Sequence, residues 1–218
     1  MKNQINEPPH KNTLSTWLSG LTHLWAGGIL GGLGVLLVAL VARRMGVSAD
    51  IFTREPQVAL GGAWYIGTFS NLGGLIWFAT AGILSFAACF KSQTRTSLAM
   101  AALVTWAMGV DDIFMLHDFV YTQFYIREVF VYAAYFGTTA LIVLRFRNQL
   151  ERSTLIGVTG AVFFWVLSAV FDKFFNAGVQ LREDGAKFIG ITIWAAAWAY
   201  QAYASLTNLL QTENRSEK

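Results

Sequence analysis

The chain has 218 residues, 55% of them hydrophobic and only 13% charged, against about 25% charged in soluble domains. With 8 Trp, 17 Phe and a mean hydropathy of +0.46, it holds more apolar surface than a soluble domain of this length can hide. The net charge of +3 is too small for a nucleic-acid binder, and one cysteine, Cys89, excludes an internal disulfide or a thiolate metal cluster.

Residues 1–14 are polar and contain Pro8-Pro9, the composition of a disordered tail. A transmembrane domain is expected over 15–210, and a second disordered tail over 211–218. A bilayer core of about 30 Å requires about 20 apolar residues per helix. Six spans are expected, near 17–43, 65–90, 97–120, 127–146, 153–175 and 184–210, the third and fourth reaching spanning length only with their flanking charged residues. The expected fold is therefore all-α, a six-helix bundle with a polar, acid-rich pocket at one membrane face.

The first span is too long for a signal peptide and lacks a small-x-small cleavage site. It carries Gly27, Gly28, Gly31 and Gly32, whose Gly-x-x-x-Gly spacing lets two backbones approach closely. That surface suits packing against the second span, which has Gly73, Gly74 and Gly82, or the seam of a homo-oligomer. Pro56 to Gly62 reads as loop. Ser70 and Asn71, early in the second span, are placed to add polarity to the acid-rich face.

Six spans put both termini on one side, with nine of the sixteen Lys and Arg residues. The positive-inside rule then places the termini in the cytoplasm of a cell (inner) membrane and the other face outside. Acids divide more sharply. Asp50, Glu55, Asp111, Asp112, Asp118, Glu128, Asp172, Glu183 and Asp184 all fall toward the face opposite the termini. The loops there carry Arg54-Glu55, Arg127-Glu128 and Arg182-Glu183, a pattern that short interfacial loops favour as ion pairs.

The most informative segment runs from Asp111 to Asp118 in the third span. Asp111 and Asp112 lie about two turns inside the expected helix end, roughly 10 Å deep at 1.5 Å per residue. A charge there requires a polar cavity or a partner. On a straight helix Asp111 and Asp118 share a face, whereas His117 points about 240° away from Asp111. His117 joins them only where the helix end unwinds. In the sixth span Lys187 follows Glu183 and Asp184 at helical spacing, and is expected to neutralise an acid of the third span. Ser168 lies one turn before Asp172 on the fifth span. Trp194 and Trp198, one turn apart, read as core or lipid-facing residues.

Three function classes follow. The first is a membrane enzyme acting on a lipid or other apolar substrate. Its catalytic groups are Asp111, Asp112 and Lys187, and a divalent metal (Fe, Mn, Zn or Mg) is held by Asp118, His117, Asp172, Glu183 and Asp184. The second is a proton- or cation-coupled transporter or channel, with Asp111 and Asp112 titrating and Lys187 as counter-ion. The third is a non-catalytic membrane subunit. No phosphate loop, nucleophile elbow, Cys-His pair or bis-histidine haem pattern is present.

Overall fold

The structure is a computed structural model in which the described residues are 29, 32–33, 35–37, 39–48, 60–63, 67–174 and 180–216. The side chains of 118–119, 172–174, 180–182, 213 and 215–216 fall outside that description. The chain divides into two units, Met1–Ile66 and Gly67–Lys218. In the first, residues 39–45 are helical and end at Gly46, whose φ of 68° suits a residue without Cβ. Most of the first predicted span, including Gly27, Gly28 and Gly31, lies outside the described residues. Gly32 is exposed, with no atom within 4 Å of where a Cβ would stand.

The second unit is all-helical among its described residues. It comprises α1 (Thr68–Ala88), α2 (Arg95–Phe114), a π-helical turn (Leu116–Val120), α3 (Tyr121–Gln123), α4 (Glu128–Phe146), α5 (Arg152–Phe174) and α6 (Gln180–Ser216). These are seven helical elements, where five of the six expected spans fall: the predicted third span is divided in two, and α3 is a further short turn beyond it. The span breaks at Met115, which takes the left-handed conformation at φ 47° and ψ 43°, so α2 stops at Phe114 and does not run on to Asp118.

Four helices, α1, α2, α4 and α5, are long and apolar enough to cross a membrane, which fits a membrane location. α6 is not among them, although it is 37 residues long, roughly 55 Å at the helical rise. Its hydropathy is diluted by Trp194, Trp198 and Gln201, all buried inside the bundle at 0–2% exposure. α6 faces protein where α4 faces outward, so it needs less apolar surface of its own.

The core forms where α6 packs on α5 and α1, and α1 on α2. Two pairs of glycines set the spacing. A Cβ on Gly74 of α1 would stand 2.5 Å from Ile113 of α2, and one on Gly109 of α2 would stand 2.9 Å from the Cβ of Trp77 of α1. Likewise a Cβ on Gly157 of α5 would meet Ala197 of α6 at 2.6 Å, and one on Gly190 of α6 would strike the Trp165 ring of α5. Each helix receives a side chain from its partner, the close approach that small residues permit. Trp77 and Trp165 sit against Gly109 and Gly190, and with Trp194 and Trp198 they form a run of rings whose successive centroids are 5.4–5.7 Å apart. The Trp194 indole N–H donates to Thr105 Oγ1 at 3.1 Å.

At the end carrying the chain terminus, short polar bonds tie the bundle together. The Gln201 amide oxygen accepts from the Glu151 N–H at 2.8 Å, and Ser205 bonds to Thr94 and to Ser92. Bonds of this kind hold helices in register.

Candidate functional site

At the other end the helices diverge around a cavity of about 450 Å³. Its construction begins with the break in α2. After Met115 the chain re-enters helix with backbone N–H groups that have no carbonyl behind them. Asp111 supplies the acceptor: the His117 N–H donates to Asp111 Oδ1 at 2.8 Å. The same turn brings His117 Nδ1 to 3.2 Å from that oxygen. An imidazole that a straight helix would aim elsewhere therefore sits on the Asp111 carboxylate. Both are buried, Asp111 at 3% exposure and His117 at 9%. From α4, the Tyr132 ring packs on His117 with centroids 5.7 Å apart, and the Tyr135 hydroxyl interacts with the Asp111 carboxylate.

Asp112 faces α6 and forms an ion pair with the Lys187 ammonium. The two ends differ in exposure, 11% for the Asp112 side chain and 41% for that of Lys187. The acid is held inside the protein, while the lysine reaches it along a partly solvated stem. The bond from Ser168 Oγ to the Glu183 carbonyl, 3.0 Å long, anchors the start of α6 to α5.

Of the residues singled out in the sequence, Asp111, Asp112, His117, Glu183, Asp184 and Lys187 all line this one cavity. Glu128 joins them, so two of the three Arg-Glu loops contribute their acid. The side chains of Asp118 and Asp172 lie outside the described residues. Ser70 and Asn71 are exposed and are not part of the lining. A metal site needs at least three donors converging at about 2.0–2.5 Å. Among the described residues no three His, Cys, Asp or Glu side chains are grouped in that way.

Sequence reasoning missed the aromatic half of the site. Trp77, Trp165, Tyr132, Tyr135 and Phe136 also line the cavity. Tyr132, Tyr135 and Phe136 are spaced i, i+3 and i+4 on α4, a stripe legible in the sequence once a polar neighbour is suspected. Trp194 and Trp198 belong to the core.

A family model described as a domain of unknown function, DUF8692, matches residues 29–200. The chain belongs to this family. The matched stretch contains every side chain of the cavity named above. No curated protein and no solved structure matches the chain.

Proposed function

We propose that this DUF8692 protein is a proton- or cation-coupled membrane transporter, with Asp111–His117 and Asp112–Lys187 as its coupling groups. The observation that carries the reading is two carboxylates on an apolar helix, Asp111 buried and Asp112 partly buried, each held by a partner that can let go. Imidazole titrates near neutrality in its ordinary state, so the Asp111 contact has a protonated and a neutral form. Lys187 is exposed enough to withdraw from Asp112 into water. Intramembrane acids with such partners are the usual mark of an ion or proton path.

A carrier suits the site better than an open pore. Beneath the cavity the bundle is filled by the four tryptophans, and its far end is tied by the Gln201 and Ser205 bonds. A path through the molecule requires that packing to move. In this reading both termini lie on the cytoplasmic side of the cell (inner) membrane and the cavity faces outside, the orientation that the charge count favours. A homo-oligomer through Gly27, Gly28, Gly31 and Gly32 belongs to the same proposal, on the close backbone approach that their spacing permits.

Reconstituted vesicles with a pH-sensitive dye inside test the reading. A pH gradient is imposed and Na⁺, K⁺ or a permanently charged ammonium ion is added outside. At least one of these collapses the gradient with wild-type protein, and Asp111→Asn reduces the rate about tenfold or more, the scale of losing one essential buried carboxylate. If no cation moves protons through the wild type, coupled transport is wrong.

A further inference from the structure

We infer that the ligand of the cavity is a small organic cation, and that Lys187 is its internal competitor for Asp112. This rests on the binding site of the proposed transporter and names its substrate class. Three observations lead there. Among the described lining residues five are Asp or Glu and one is Lys, a balance that favours a positive guest even with Asp112 already neutralised. Its walls are aromatic: Trp77, Trp165, Tyr132, Tyr135 and Phe136 present ring surface, which attracts alkylammonium groups more strongly once they are desolvated. Finally, the volume of about 450 Å³ lies in the range of small-molecule pockets, roughly 300–1,000 Å³, and far exceeds the space around a bare ion. The described carboxylates do not converge into a cage for such an ion.

Lys187 completes the argument. Its ammonium occupies the place on Asp112 that a guest ammonium would take. The side chain is 41% exposed and extends from α6, where Glu183 and Asp184 stand four and three residues earlier. Those spacings provide carboxylates on its own helix. An entering cation therefore exchanges one ion pair for another: it takes Asp112, and Lys187 swings to Glu183 or Asp184. No covalent bond is broken and no charge is left buried alone, the condition that makes displacement inexpensive in a low-dielectric site. With the guest in place its alkyl surface covers Trp77 and Trp165.

Three probes of one shape and different charge test this on the full chain in an uncharged detergent. They are choline, its neutral carbon isostere 3,3-dimethylbutan-1-ol, and 3,3-dimethylbutanoate. Binding is read by calorimetry and by tryptophan fluorescence at fixed pH. Choline is expected to bind about tenfold or more tighter than the alcohol, equivalent to about 1.4 kcal/mol, and the carboxylate not at all. Equal binding of choline and the alcohol, preference for the carboxylate, or displacement of choline by equimolar Na⁺ each overturns the inference.

Lys187→Met supplies a sharper test, because removing a competitor tightens choline by about tenfold, whereas Lys187→Arg keeps the competition and leaves affinity near wild type. Loss of choline binding in Lys187→Met protein that elutes as a folded species would show that Lys187 belongs to the ligand site and would overturn the competitor role. If Lys187→Met does not fold, the wild-type probe series and Lys187→Arg still decide. Choline binding without proton coupling in vesicles leaves this inference standing and removes coupled transport. Coupling driven by Na⁺ or K⁺, with no choline binding, does the reverse.

Discussion

Met115 holds φ 47° and ψ 43°, a left-handed backbone that costs an ordinary L-residue roughly 1–2 kcal/mol and a β-branched one more. The conformation ends α2 and turns His117 back onto Asp111. Met115→Gly is expected to keep or raise the melting temperature, whereas Met115→Ile lowers it by several degrees, about 2–4 °C per kcal/mol at this chain length. A thermal melt in detergent with both variants checks the order, and a melt in which Ile equals Gly would mean the backbone is not strained there. Asp111, Asp112 and Lys187 were legible in the sequence because a charged side chain in an apolar stretch has few places to go. The break was not, because neither Gly nor Pro marks it. Without the break, helical geometry sends Asp111 and His117 apart, so their pairing was unreadable from spacing alone.

At the scale of elements, the helix pairs α1–α2 and α5–α6 depend on reciprocal glycine notches. Gly109→Val and Gly190→Val drive a branched side chain into Trp77 and Trp165, and each is expected to destabilise by about 1–3 kcal/mol or rearrange the bundle, as overpacking does. Gly82 and Gly137 offer the internal contrast, since nothing lies within 4 Å of either Cβ position. Gly82→Ala and Gly137→Ala should be neutral or stabilise by about 0.5–1 kcal/mol through helix propensity. Comparing the four melts separates notch from exposed helix face. Most element boundaries were readable: α4 begins at Glu128 and α5 at Arg152, each within a residue of its predicted start. Hydropathy also located the helix of the sixth expected span, although α6 is not apolar enough to count as membrane-crossing. It gave no sign that this helix would bury its Trp and Gln side chains at the bundle centre, because burial among helices and exposure to lipid favour similar apolar compositions. The aromatic wall was missed for the same reason, since Trp77 and Trp165 look alike whether they face a cavity, a core or a bilayer.

For the whole molecule, the single cysteine gives a direct report of orientation. Cys89 is exposed at the end of α1, opposite the acid-rich cavity. With the cavity facing outside, a membrane-impermeant maleimide should label Cys89 in inverted vesicles and leave it unlabelled in intact cells. Labelling from outside intact cells would reverse the proposed topology and place the cavity in the cytoplasm, without altering its chemistry. The proposed transport depends on one event, a change of protonation at a buried carboxylate that faces the cavity. Infrared difference spectroscopy between acidic and neutral pH reads that event, because a protonated carboxyl has a C=O band that a carboxylate lacks. The wild-type protein should show such a band, and Asp111→Asn should remove it. His117→Gln keeps the Asp111 carboxyl and should keep the band. A wild-type difference spectrum unchanged by Asp111→Asn across the accessible pH range would contradict the central claim.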